Sequence, residues 1–194
     1  MNMKLYDYLC KNGYVEDDEK EVVLYGTEML SIIFISMIVI AIIAFTLRMI
    51  WETALFLFIA IPLRQHAGGY HMNSKMVCTC ASSFVLAGVL LIIKYTCISE
   101  NVMILMELTS VFVIMILSPV DNEKNRLNDK EKKLLYNKTR NILFIDSLIF
   151  ILLYVCKLYY WCGIVTLATC TAAFMVLVGY IVNRIQMKGN ISEI

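Results

Sequence analysis

The chain of 194 residues is 60% hydrophobic and 17% charged, and its mean hydropathy is +0.72. Because soluble domains are typically about 45–50% apolar, this composition excludes an ordinary soluble protein and indicates an integral membrane protein. The net charge of +1 excludes the strongly basic balance typical of nucleic-acid binding, so no nucleic acid is expected as a partner.

The segment of residues 1–28 has mixed polarity and carries an acidic stretch near its middle. A cleavable signal peptide needs a continuous apolar core, so none is expected here. Leu5, Tyr8 and Leu9 recur at helical spacing, and tyrosines suit the headgroup zone of a membrane. We expect an amphipathic helix that lies in the membrane interface, with a loosely ordered tail as the alternative.

Six apolar runs follow, and we interpret them as transmembrane helices. A helix needs about 20 residues to cross a hydrocarbon core of about 30 Å. The second run has only 13 residues with Pro62 at its end, and it reaches only about 20 Å unless flanking residues extend it. The predicted fold is an all-α integral membrane protein with about six transmembrane helices, the second one short. The runs cover residues 29–50, 51–63, 81–98, 102–120, 142–161 and 162–182.

Lysine and arginine positions predict the orientation of this bundle. If all six runs cross and the N-terminus is cytoplasmic, only Arg48, Lys94 and Lys157 of the 17 basic residues face outward. Positive residues favour the cytoplasmic side, so both chain termini and the segment of residues 64–80 are expected in the cytoplasm. The loop of residues 121–141, expected in the cytoplasm, carries seven of the 17 basic residues.

The domain organisation that we expect is a single transmembrane helical domain, residues 29–182, between the N-terminal segment and a C-terminal tail of residues 183–194. The loop of residues 121–141 is expected to continue as a helix that begins at Asn128. Glu131 lies three residues farther on, which is the arrangement of a capping box.

The segment of residues 64–80 is the strongly polar, glycine-bearing interruption in the apolar first half of the chain. It contains His71 and Cys78. A cysteine nucleophile requires a thiol and a nearby base, and an imidazole serves as this base because it withdraws the thiol proton. The glycines at 68–69 permit the backbone conformations that close approach to a substrate demands. Arg64 is a charge that is costly near a membrane unless it is partnered or used. The alternative is a plain connecting loop.

The two cysteines of this segment are expected to differ in role. If residues 74–98 form one helix, Cys78 lies close to its N-terminus, where the helix dipole favours a thiolate. Cys80 is two positions farther on and points away from Cys78 on such a helix, so we interpret it as a packing residue. The irregular spacing of the seven cysteines does not fit a disulfide framework.

A zinc site is the rival interpretation of the same segment. A Cys-x-Cys pair on a helix points its sulfurs apart, however, and zinc sites more often use Cys-x2–4-Cys spacing. We therefore expect neither a metal ion nor another cofactor. The four candidate ligands, which fall within 15 residues, are His66, His71, Cys78 and Cys80.

Two motifs together resemble the signature of the accessory gene regulator B (AgrB) family of bacterial membrane cysteine endopeptidases. The first is Arg64-x6-His71-x6-Cys78, with Gly-Gly at 68–69. The second is the Ser-Pro-Val-Asp-Asn-Glu-Lys-Asn-Arg-Leu sequence of residues 118–127, which is similar to a loop that follows the fourth apolar span in the family. Chain length, number of spans and motif order also fit, so the resemblance covers nearly the whole chain.

The resemblance implies that Cys78 is the catalytic nucleophile and His71 the catalytic histidine. Arg64 and Gly69 match further motif positions of the family. The implied enzyme cuts the C-terminal tail from a small pro-peptide, forms a thioester with the remainder and promotes its cyclisation to a thiolactone or lactone quorum-sensing signal. The implied partners are this pro-peptide and the lipid bilayer of a bacterial cell membrane, and we expect a homodimer.

A third catalytic residue is left open by the sequence. Asp121 would orient His71 if the bundle brings the two loops together, and Gln65 is a local alternative. The plain interpretation of Asp121 is a turn residue. The alternative function is a membrane transporter or channel, in which Arg64 and His71 line a pathway and Cys78 is incidental.

Overall fold

The computed structural model describes residue 10 and residues 20–68, 75–120 and 128–191, without the side chains of residues 75–76, 129 and 186–191. Within these ranges the chain forms six long α-helices and no strand. In chain order they are α1 (Lys20–Leu47), α2 (Ile50–Ala67), α3 (Lys75–Tyr95), α4 (Glu100–Leu117), α5 (Asp129–Val155) and α6 (Tyr159–Ile191).

The helices have the length and composition of membrane-spanning segments. Four stretches are long and apolar enough to cross a bilayer, and much of their apolar surface faces outward, as lipid contact requires. This confirms the predicted all-α membrane protein, whereas six crossings and a cytoplasmic N-terminus stay predictions. The four stretches are Lys20–Leu47, Val77–Tyr95, Glu100–Leu117 and Tyr159–Ile185.

The second helix is longer than the apolar run that predicted it. Helix α2 has 18 residues and continues through Pro62 to Ala67. A proline lacks the N–H that an interior helix position uses, but neighbouring helices in a membrane protein tolerate this loss. Leu63 and Ala67, which follow the proline, are both fully buried, so packing favours continuation of the helix.

The boundary between the last two helices differs from the prediction. The apolar pattern placed it between residues 161 and 162, but α5 ends at Val155 and α6 already begins at Tyr159. Lys157 adopts a left-handed φ of 59°. The Leu158 N–H bonds the Leu153 carbonyl at 2.9 Å, and the Lys157 N–H bonds the Tyr154 carbonyl at 2.9 Å, which is the Schellman end of a helix. Hydropathy does not register this backbone turn, because the residues around it stay apolar.

The start of α5 follows the capping pattern read from the sequence. The backbone N–H of Asn128 donates to Oε2 of Glu131 at 2.9 Å, which is the glutamate half of a capping box. The helix then runs for 27 residues without interruption. Residues 129–141 of the predicted loop and the fifth apolar run therefore belong to one continuous helix.

Helix α6 lies at the centre of the bundle and packs chiefly against α4 and α2. Small residues on α6, such as Ala168 and Ala172, let the helices approach closely. Helix α1 is peripheral, packs mainly against α3, and has Ala44 as its buried residue. The core residues of α6 with no exposed surface are Cys162, Ile164, Val165, Thr166, Ala168 and Thr169.

Candidate functional site

Arg64 and Cys78 meet where the end of α2 approaches the start of α3. Nη2 of Arg64 lies 3.4 Å from the Cys78 sulfur and donates a hydrogen bond to it. Nη1 of the same guanidinium donates to Oγ of Ser82 at 2.9 Å. All three residues are half-buried. The charge that the sequence marked as costly is thus in contact with the predicted nucleophile.

Ser82 links the arginine to the backbone that carries the cysteine. It lies one helical turn after Cys78, and its hydroxyl donates to the Cys78 carbonyl at 2.8 Å. The same oxygen accepts a hydrogen bond from Arg64. The bond to the Cys78 carbonyl fixes the Ser82 side chain, and Ser82 in turn holds the Arg64 guanidinium in place. The sequence prediction missed Ser82. Its only signal was the spacing of four residues after Cys78, which places both on one face of a helix.

These polar groups line a half-open cavity of about 410 Å³ between α1, α2, α3 and α6. Arg64, Cys78 and Ser82 line it, while most of its wall is apolar. This combination of an apolar body with a few convergent polar groups is typical of ligand sites. The apolar wall includes Ile32, Ile40, Phe56, Leu57, Ala172 and Met175.

The backbone at the end of α2 touches the segment that follows α4. Gly68 has a φ of 75° and forms an isolated parallel bridge with Val120. The N–H of Val120 donates to the Ala67 carbonyl at 3.1 Å, and Oγ of Ser118 donates to the same carbonyl at 3.2 Å. The two motifs that are far apart in sequence are therefore joined immediately before residues 69 and 121.

The predicted site residues are described only in part. The structure brings Arg64 and Cys78 together, whereas His71, Gly69 and Asp121 lie outside the described residues. Gln65 is exposed and does not line the cavity that Arg64 and Cys78 share. Residues 69 and 121 directly follow Gly68 and Val120 in the sequence, and Gly68 and Val120 are in backbone contact.

Cys80 and His66, two of the other candidate ligands, contact other parts of the structure. Cys80 is exposed and lines a different cavity, of about 370 Å³, between α1 and α3. Nδ1 of His66 lies 2.9 Å from the Pro62 carbonyl, so that nitrogen is used within its own helix. Among the described residues, no three His, Cys, Asp or Glu side chains gather into a metal-binding group.

The sequence of this chain is similar to one protein family and to several known proteins. The sequence matches the family described as Accessory gene regulator B over residues 3–186. It is 28% identical over 151 residues to a putative AgrB-like protein of Clostridium perfringens strain SM101, which covers 72% of this chain and 71% of that protein. Putative AgrB-like protein 1 of strain 13 is 24% identical over 148 residues, covering 74% of this chain and 79% of that protein. No solved structure matches the chain.

Proposed function

Because the chain belongs to the accessory gene regulator B family, we propose that it is a membrane-embedded cysteine endopeptidase that processes a small quorum-sensing pro-peptide. Family membership supports the role in quorum-sensing peptide processing. The observation that carries the chemical assignment is the contact between the Arg64 guanidinium and the Cys78 sulfur at 3.4 Å.

Arg64 supplies the positive charge that a cysteine thiolate needs in an apolar cavity. The thiolate is the reactive form of cysteine, and an unpaired charge is costly where water is scarce. A guanidinium is always positively charged and donates strong hydrogen bonds to an anion. Arg64 therefore stabilises the thiolate of Cys78 in the cavity.

His71 is the proposed general base and acid. It takes the thiol proton of Cys78, and the resulting thiolate attacks the carbonyl carbon of the scissile peptide bond. The carbon–nitrogen bond then breaks, and the imidazolium returns the proton to the leaving amine of the C-terminal tail. The remaining peptide is held as a thioester on Cys78. Gly69 and Asp121 are proposed to support His71, since the contact between Gly68 and Val120 anchors the chain next to both.

The second half of the reaction releases the peptide as a ring. A thiol or hydroxyl within the same peptide gives its proton to the His71 imidazole and attacks the thioester carbonyl, and the Cys78 thiolate leaves, so that a thiolactone or lactone forms. Hydrolysis competes with this step, and the mostly apolar cavity of 410 Å³ limits access of water to the thioester. Attack within one molecule is also favoured by an effective molarity that reaches about 10⁵ M in well-oriented cases.

A co-expression experiment tests the proposal. The chain is expressed in a bacterial host with a candidate pro-peptide, and the products are identified by mass spectrometry. Cys78→Ala is expected to abolish cleavage while the protein still inserts into the membrane. Cys80→Ala is the matched control, because Cys80 lies two residues away and lines another cavity. Processing by the Cys78→Ala protein at the wild-type rate would reject the peptidase and favour a transporter or channel.

A further inference from the structure

A half-open groove of about 620 Å³ lies between α4 and α5. It shares no lining residue with the cavity at Cys78. Helix α4 packs mainly against α6, and α5 packs against α2 and α6 rather than against α4. The two helices therefore leave a gap between them, which Val111 and Met115 line from the α4 side.

The α5 side of the groove carries polar side chains without partners. Asn137, Asn141 and Ser147 line the groove at helical spacing, and within the part of the chain that the structure describes their side chains form no hydrogen bond. Ser147 departs from the behaviour of other serines inside the helices, so its hydroxyl is available to a partner in the groove. The helical serines that donate to the carbonyl four residues earlier are Ser31, Ser36, Ser82, Ser83 and Ser110.

Arg140 brings a positive charge to the same groove. The central carbon of its guanidinium lies 5.4 Å from the centre of the Tyr136 ring, and among the described side chains no carboxylate pairs with it. Lys133 and Lys138, both exposed, add positive charge on the same helix. A guanidinium binds phosphate through two parallel hydrogen bonds, so this end of the groove suits a phosphate group.

The groove lies where α5 passes from charged to apolar sequence. Residues 130–140 include five basic residues, whereas residues 142–155 contain one charged residue. The start of α4 and the end of α5 lie on one side of the bundle, because the Tyr154 hydroxyl donates to the Glu100 carboxylate at 3.4 Å. Arg140 and Met115 are each 15 residues from that side, so the rise of a helix places both at about 22 Å. This level is two residues before the end of α4, close to the expected membrane boundary.

A membrane lipid matches this combination of a cationic end and an apolar wall. Met115 and Phe144, which line the groove, are 44% and 71% exposed, so the apolar part opens toward the bilayer. A net negative headgroup suits the unpaired guanidinium better than a zwitterionic one, which carries its own cation. We propose that the groove binds one anionic phospholipid. Its phosphate contacts Arg140 and Asn141, one acyl chain lies against Met115 and Phe144, and the Ser147 hydroxyl donates to an ester oxygen.

The lipid site is independent of the proposed peptidase chemistry and includes none of the proposed catalytic residues. It does adjoin the junction of the two sequence motifs. Thr139, on the buried face of α5, has its Oγ1 3.5 Å from Oγ of Ser118, which donates to the Ala67 carbonyl at 3.2 Å. A lipid that fills the gap between α4 and α5 supports both helices of this junction, so we expect it to stabilise the folded bundle.

Lipid binding to the purified full-length chain in a neutral detergent tests the site. Native mass spectrometry compares dioleoyl phosphatidylglycerol with dioleoyl phosphatidylcholine, which has the same chains and no net charge. We expect tighter, saturable binding of one phosphatidylglycerol and a rise in melting temperature, because a ligand of the folded state stabilises it. Arg140→Gln should weaken this binding roughly tenfold through loss of a charge-assisted hydrogen bond. Arg184→Gln is the matched control and should bind normally, since Arg184 also lies over a tyrosine four residues earlier, at 5.6 Å, but does not line the groove.

A second pair of variants tests the apolar half of the site. Phe144→Ala leaves every charge in place and should weaken phosphatidylglycerol binding, whereas Phe112→Ala, at an equally exposed phenylalanine of α4 outside the groove, should not. Equal affinity for the two lipids, unchanged by Arg140→Gln, would overturn the proposal. So would inorganic phosphate that binds as tightly as the lipid, or a tetraglutamate peptide that displaces the lipid and is indifferent to Phe144→Ala, since these results indicate a site for a free anion or an acidic peptide.

Discussion

Gly68 and Val120 lie so close together that a Cβ atom at position 68 would be 2.6 Å from the Val120 carbonyl oxygen. The nearest atoms of Val120 are backbone atoms, so rotation of a side chain would not relieve the clash. It holds the segment that leads toward His71 against the segment that leads toward Asp121. The geometry of the proposed catalytic centre is thus tied to a glycine.

Gly68→Ala is expected to impair processing strongly. Alanine at a φ of 75° is strained, at a cost of about 1–3 kcal/mol, and the backbone of Val120 must also shift to accommodate its methyl group. The measurement is the rate of pro-peptide cleavage together with the melting temperature. Gly26→Ala is the control, because nothing lies within 4 Å of a Cβ there and alanine favours a helix interior. Similar behaviour of the two variants would contradict the assigned contact.

Ser82→Ala and Ser83→Ala form a matched pair that tests the role of Ser82 as a positioning residue. Both hydroxyls donate to the carbonyl four residues earlier, Ser82 at 2.8 Å and Ser83 at 2.9 Å, but Ser82 also accepts a bond from Arg64. Loss of that bond lets the guanidinium leave the sulfur. We expect alkylation of Cys78 by iodoacetamide to slow by roughly tenfold in Ser82→Ala, since a hydrogen bond to a charged group contributes about 1.5–3 kcal/mol.

The alkylation readout uses mass spectrometry of the peptide that contains Cys78, so the other cysteines do not interfere. It needs no pro-peptide and therefore separates a wrong role for Ser82 from a wrong proposed function. Ser83→Ala should leave the alkylation rate unchanged. Equal rates in the two variants would show that Ser82 does not position the arginine.

Arg64→Lys is expected to fail as a conservative substitution. A guanidinium reaches the Cys78 sulfur and the Ser82 hydroxyl with two separate nitrogens, whereas an ammonium is a single point charge without this fork. We expect a reduction of the cleavage rate by about tenfold, from loss of one charge-assisted bond, and a larger loss in Arg64→Gln. Kinetics on a synthetic pro-peptide measure both variants. Full activity of Arg64→Gln would exclude the proposed stabilisation of the thiolate.

Lys157→Gly is expected to stabilise the protein. Lys157 occupies the left-handed position that ends α5, with a φ of 59°, and a side chain there costs roughly 1–2 kcal/mol. Glycine carries no such cost but loses more entropy on folding, so a net gain of about 1 kcal/mol in the free energy of unfolding is predicted. Denaturant unfolding in detergent measures it. Lys138→Gly, inside α5, should lower stability by about 1 kcal/mol instead.

The sequence predicted the apolar helices well, because their composition depends only on local residues. It failed at the end of α5, where Lys157 turns the backbone within a run that stays apolar. It also underestimated α2, because continuation through Pro62 depends on the burial of Leu63 against other helices.

The sequence could predict those candidate site residues that are polar or reactive in type and interrupt an apolar stretch. Arg64 and Cys78 could be singled out because they belong to a polar segment that interrupts an apolar stretch, where a charge is unusual. Ser82 could not, because its role depends on an arginine from another helix.

The peripheral position of α1 has a consequence for how a peptide reaches Cys78. This helix supplies one wall of the Cys78 cavity, yet Ala44, near its far end, is its buried residue. Because α1 buries little of its surface, its displacement costs less than that of the other helices, so we expect the proposed pro-peptide to enter the cavity sideways from the bilayer, between α1 and its neighbours. A covalent cross-link that fastens α1 to α3 should then stop processing while leaving alkylation of Cys78 by a small reagent intact.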